Sequence, residues 1–232
     1  MNKQVRSIIA LFAGVMPAYA GMIWFRVTQT ENITITWMLI YPLLTGGGFS
    51  LIILLLNKYL LKKTFTKTFS PAREPISSDF VMGIILTVIF FILLAIERAT
   101  IFRWLPHQTS VSAEFAALLE RIAYNPLLLT LWLGPVLWIG VVFFEEVTRV
   151  FIMRCLWNLS SNKSWQIIVV VGVALLSGII HIHQGITGII SYSIQGLLMG
   201  LYFYKFRRIL PLIISHGLYD GLQIFALVMQ YK

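Results

Sequence analysis

Charged residues are scarce in this chain. Only 12% of its 232 positions are Asp, Glu, Lys or Arg, where a soluble globular protein has about 25%. That shortage leaves too little polar side chain to cover a water-facing surface, so no soluble domain of any size is expected. Cysteine is scarcer still: the single Cys155 excludes an intrachain disulfide framework and leaves the redox compartment open. Acidic residues number 9 against 18 Lys and Arg. The basic residues form short clusters between apolar runs, with no continuous basic face. This argues against nucleic acid as a partner and for membrane lipids, with the cations acting as orientation signals and headgroup contacts. Internal repeats and low-complexity tracts are also lacking.

Apolar residues are abundant, at 58% of the chain with a mean hydropathy of +0.84. About 20 of them in a row cross a hydrocarbon core. Runs of that kind extend from about Ser7 to Val27, Thr34 to Leu56, Phe80 to Ile96, Pro126 to Trp157, Trp165 to His183, Ile186 to Tyr204 and Leu210 to Met229. They predict an all-α polytopic transmembrane helix bundle of about seven to eight helices, a single membrane domain over residues 1–232. Lys3 and Arg6 ahead of the first run resemble the start of a signal peptide. The run is long, however, holds Pro17 and has no small-residue cleavage pattern before Arg26, so it reads as an uncleaved span. Gly46, Gly47 and Gly48 in the second run permit close helix packing or a local break. The fourth run, as one helix, would measure about 48 Å, more than a bilayer core needs. It must tilt, protrude or bend, with Pro135 and Gly140 as the places to bend. Between the third and fourth runs, Glu97 to Asn125 reads as a loop plus a short surface helix with Phe115, Leu118 and Leu119 on one side.

With a cytoplasmic N-terminus, Lys3 and Arg6, the basic 57–79 loop, Arg154 with Lys163, and Lys205, Arg207 and Arg208 all fall inside. Arg26, Glu31 and the mixed-charge 97–125 stretch fall outside, as the positive-inside rule asks.

The informative residues are ionisable groups within apolar runs: Glu145, Glu146 and Arg149 in the fourth, His181 in the fifth, His216 and Asp220 in the seventh. An Asp, Lys or Arg at the centre of a membrane helix costs about 2.5–3.5 kcal/mol. Four such groups left unpaired would cost on the order of 10 kcal/mol, so they must face one another or a wet cavity. Arg149 stands within reach of both Glu145 and Glu146 on a helix and can neutralise one of them; His216 and Asp220 share a stripe one turn apart. Structural ion pairs and interhelical hydrogen bonds are the plainest reading of each group alone. Together, on three spans, they leave one carboxylate in excess, which is suited to hold and deprotonate a water, while the imidazoles can orient that water, polarise a carbonyl or bind a metal.

In this order, Glu145-Glu146 with Arg149, His181, and His216 with Asp220 resemble the three motifs of the CAAX prenyl endopeptidase and bacteriocin-processing (CPBP, or Abi) family of intramembrane proteases. The stretch from His181 through Gln184-Gly185, Tyr192, Gly196, Gly200 and Leu210-Pro211 to His216 is especially similar, and the resemblance covers roughly residues 126–225. Two departures stand out: Arg149 follows Glu146 by three residues rather than four, and Ser177 occupies the place of the second motif's Phe. The resemblance implies an endopeptidase of a bacterial plasma membrane acting on a membrane-associated peptide or protein. Glu145 would activate water and His181 would hold or polarise it. His216 and Asp220 would stabilise the oxyanion or complete the polar site, and Glu146 and Arg149 would support it electrostatically. No cofactor is required, although a divalent metal such as zinc is permitted.

Two other functions compete: a non-catalytic immunity or secretion-accessory protein of the same fold, and a proton-coupled transporter using Glu and His as a relay. Cys155 reads as a packing residue rather than a nucleophile, His183 as a residue near the outer surface and His107 as a loop residue. Trp132, Trp138 and Trp157 read as lipid or interface contacts.

Overall fold

The computed structural model describes residues 1–21, 34–72, 74–105 and 120–230, and within them all regular structure is helical. Helix α1 spans Lys3–Gly14, α2 Met38–Leu60, α3 Phe65–Phe69 and α4 Ile76–Ala99. Helices α5 to α8 span Pro126–Trp157, Lys163–Ile179, Gly185–Phe206 and Leu210–Met229. The distal part of the first apolar run lies outside the described residues, with Arg26 and Glu31. So do Arg73, His107, the surface helix expected around Phe115, Leu118 and Leu119, and the side chain of His183.

Polar punctuation sets the helix ends. Asn125 accepts hydrogen bonds from the backbone N–H groups of Leu127 and Leu128, 3.1 Å each, and Pro126 fills the first turn of α5. Asn162 caps α6 through the N–H of Ser164 at 2.8 Å. Among the described residues, five helices are long and apolar enough to cross a membrane: α2, α4 with its extension to Trp104, α5, α7 and α8. Helix α6, with 17 residues, covers about 25 Å. The chain is an integral membrane protein.

The length of α5 is resolved by a break. Gly134 takes φ −92°, ψ −108° immediately before Pro135, and the helix then runs in wide π turns to Phe143. Proline disfavours helical backbone at the residue before it, which places the break one residue ahead of the expected proline. Gly140 has a different use: it meets Gly46 of α2, where a Cβ on either residue would strike the other helix's backbone. Of the glycine triplet, Gly46 thus serves close packing, within a π turn over Leu43–Gly47.

All eight helices contribute to one core, represented by Ala10, Ile53, Phe69, Phe90, Phe151, Val170, Phe203 and Leu212. Helix α7 packs along α6 and α8 along α4. Trp157 is buried, stacked on Phe203 with the Arg207 guanidinium 4.2 Å above its ring, rather than facing lipid. The basic segments gather at one end of the bundle: Asn158 donates to Ser7 at 2.9 Å, Lys63 to Asn158 at 3.5 Å, Arg154 to the Lys67 carbonyl at 3.2 Å and Arg208 to Asp79 at 2.5 Å. Lys63 lies between α2 and α3, and burial beside Arg154 pulls its ammonium pKa below the usual lysine range.

Candidate active site

Past the π turns, α5 returns to regular helix at Phe144 and carries Glu145 and Glu146 in the first turn of that segment. Successive residues on a helix diverge by about 100°, so the two carboxylates enter different surroundings. Glu146 is fully buried, and its Oε1 accepts from Arg149 Nη1 and from His216 Nδ1, the latter at 2.8 Å. His216 Nε2 in turn lies 3.2 Å from Asp220 Oδ2. Hydrogen bonds at both ring nitrogens require an N–H on each, so this imidazole is committed to two carboxylates at once. Arg149 also reaches Ser177 Oγ at 3.5 Å and Met199 Sδ at 3.1 Å. Thus the arginine displaced by one position in the sequence pairs with Glu146, and the serine at the Phe place receives its guanidinium.

Glu145 is left over. It is 8% exposed and makes no hydrogen bond among the described residues. It lines a cavity of about 10 Å³ together with Arg149, Tyr192, Gln195, His216 and Tyr219, space on the scale of one water molecule. His181, just beyond the end of α6, places Nδ1 at 2.8 Å from the Ser177 carbonyl and stacks on Tyr192 with ring centroids 3.5 Å apart. Donation from Nδ1–H to that carbonyl makes Nε2 the accepting ring nitrogen. His181 joins the cavity through Tyr192 rather than lining it.

A second cavity, about 640 Å³, adjoins the first and shares Tyr192, Gln195 and Tyr219 with it; Arg98, Arg103 and Gln184 also line it. That volume is in the range of ligand-binding clefts. Gln195 and Tyr219, lining both cavities, escaped the sequence reading because an isolated Gln or Tyr in an apolar span carries no spacing signal. Cys155 lies fully buried in the core, as a packing residue does.

Residues 126–222 match the family model of type II CAAX prenyl endopeptidase Rce1-like proteins. Over these residues, the chain is similar to the CAAX protease family. No curated protein and no solved structure matches the chain. The matched segment contains Glu145, Glu146, Arg149, His181, His216 and Asp220, and it brings Glu146, Arg149, His216 and Asp220 into one contiguous chain of contacts. The similarity suggests a protease, whose substrate would be a peptide or protein. Among the described residues no three His, Cys, Asp or Glu side chains converge as metal ligands, and both His216 ring nitrogens are engaged by carboxylates.

Proposed function

We propose that the chain is an intramembrane endopeptidase in which Glu145 is the general base. One observation carries this reading. Glu145 is a buried carboxylate without a hydrogen-bond partner among the described residues, beside a one-water cavity, while the charge of its neighbour Glu146 is taken up by Arg149 and His216. Glu145 takes a proton from the water, and the oxygen attacks the carbonyl carbon of the scissile peptide bond. On collapse of the tetrahedral intermediate the C–N bond breaks and Glu145 returns the proton to the leaving nitrogen, giving an acid and an amine. His181 stacks on Tyr192, which lines the cavity, and so positions the wall against which the water is held. Glu146, Arg149, His216 and Asp220 hold α5 and α8 in register around this centre.

The N-terminus is assigned to the cytoplasm of a bacterial plasma membrane. The basic connections and the N-terminal helix share one end of the bundle, the arrangement the positive-inside rule favours.

The test is cleavage of a fluorogenic peptide library by purified protein in lipid, comparing wild type with Glu145→Gln. Cleavage that vanishes with Glu145 supports the protease. Equal cleavage by both proteins removes Glu145 as base. Peptide retained by both proteins and cut by neither points instead to a non-catalytic binding protein of this fold.

A further inference from the structure

We propose that the hydroxyl of Tyr219 donates a hydrogen bond to the reacting carbonyl, and that Glu97, Ser191 and Gln195 are positioning residues that aim its proton. The inference deepens the protease reading and rests on it.

Four polar side chains from three helices form a line. Glu97, 3% exposed in the last turn of α4, accepts the Ser191 hydroxyl proton on Oε2 at 2.6 Å. Gln195, one turn further along α7, places Nε2 3.5 Å from Ser191 Oγ and 3.0 Å from the Tyr219 hydroxyl on α8. Direction follows from the inventory of protons. A serine hydroxyl has one proton, and here it goes to Glu97. Ser191 Oγ therefore offers only lone pairs to Gln195, which must meet it with N–H rather than C=O. An amide's oxygen and nitrogen are distinguished only by such a network, and Glu97 supplies the end that decides it. The second N–H on Nε2 is donated to Tyr219, whose oxygen accepts. The phenolic proton must then point away from Gln195.

Tyr219 lines both the small cavity beside Glu145 and the large one adjoining it, so a carbonyl attacked by water held at Glu145 lies within the phenol's neighbourhood. The nearby imidazole is poorly placed for the same task, because both His216 nitrogens face Glu146 and Asp220. In the step itself the carbonyl oxygen gains negative charge as water adds. Tyr219 O–H hydrogen-bonds to it, keeps its proton, and releases the oxygen as the carbonyl re-forms. A preorganised donor aimed at developing charge contributes more to the transition state than to substrate binding. Glu97 lies outside the family-matched residues, so the N-terminal half would supply part of the catalytic apparatus.

Two measurements test this. In cleavage kinetics, Tyr219→Phe should lower kcat about 100-fold with KM little changed. Gln195→Glu, which forces the phenol to donate to residue 195, should do the same. Ser191→Ala should lower kcat in wild type and have no further effect in the Tyr219→Phe background. Undiminished kcat in Tyr219→Phe, or additive losses, overturns the proposal. Independently of activity, ultraviolet resonance Raman difference spectra against the Tyr219→Phe counterparts report whether this phenol accepts or donates. An acceptor signature in wild type that becomes a donor signature in Gln195→Glu is expected, and a donor signature in wild type overturns the relay. Wild-type protein that cleaves nothing removes the protease reading and Tyr219's catalytic role together, whereas the Raman result still decides the orientation of the chain.

Discussion

His216 Nδ1 lies 2.8 Å from Glu146 Oε1, and this contact ties α8 to α5 where Arg149 already meets the same oxygen. One carboxylate oxygen thus serves two cationic partners, and its removal strands both. Breaking a buried ion pair by deleting one partner costs about 3–5 kcal/mol. Glu146→Ala should therefore lower stability by that amount in lipid, read as a fall in the unfolding temperature. Glu145→Gln, which keeps the side chain's size and breaks no hydrogen bond among the described residues, should cost less stability than Glu146→Ala and reduce kcat by about 100-fold or more. Equal destabilisation by both variants would contradict this division of labour between the two glutamates.

Asp220 closes the line on the far side of His216, at 3.2 Å. Asn at this position keeps an oxygen that can accept from Nε2–H but gives up the charge, and charged hydrogen bonds exceed neutral ones by about 1 kcal/mol. Asp220→Asn should retain cleavage within about tenfold, while Asp220→Ala should lose considerably more. Steady-state kinetics on the same peptide separates the two.

In the proposed mechanism Glu145 activates water without a metal ion. Cleavage by wild type should persist after dialysis against a strong zinc chelator. Loss of activity on chelation, restored by added zinc, would overturn the metal-free reading.

Gly46 and Gly140 bring the backbones of α2 and α5 into contact. An added methyl there meets main chain, which cannot swing aside, so Gly46→Ala should destabilise by about 1–3 kcal/mol. Because this contact holds the π-turn part of α5 ahead of Glu145, kcat should fall with it. Gly172→Ala, on a helix surface with open space around it, is the control and should be near neutral.

Much of this molecule is legible before any tertiary structure. Apolar run length predicts α5 at the limits observed, Pro126–Trp157, since Asn125 and Pro126 form a local start signal and Asn158 follows its end. Runs of hydrophobic residues are sequential properties, and the bilayer converts them directly into spans. The chemically expensive residues Glu145, Glu146, Arg149, His181, His216 and Asp220 stand out for the same reason: each interrupts an apolar run at a cost that demands a partner. Helical spacing also anticipates that Arg149 neutralises one glutamate and that His216 meets Asp220.

Which glutamate is held and which is left over is a tertiary decision. It depends on the rotation of α5 after the break at Gly134 and the π turns to Phe143, set where Gly46 and Gly140 touch. The side chain of His181 is aimed by the Ser177 carbonyl and Tyr192, and Glu97 is brought to the site only because α4 packs against α8 and reaches Ser191 of α7. Sequence by itself determined that the chain enters the membrane, through five helices of spanning length among the described residues, and which polar groups must find company there, because those are costs each helix bears alone. Only the packing of helices from distant parts of the chain decided who the partners are, because those contacts follow no period within any one of them.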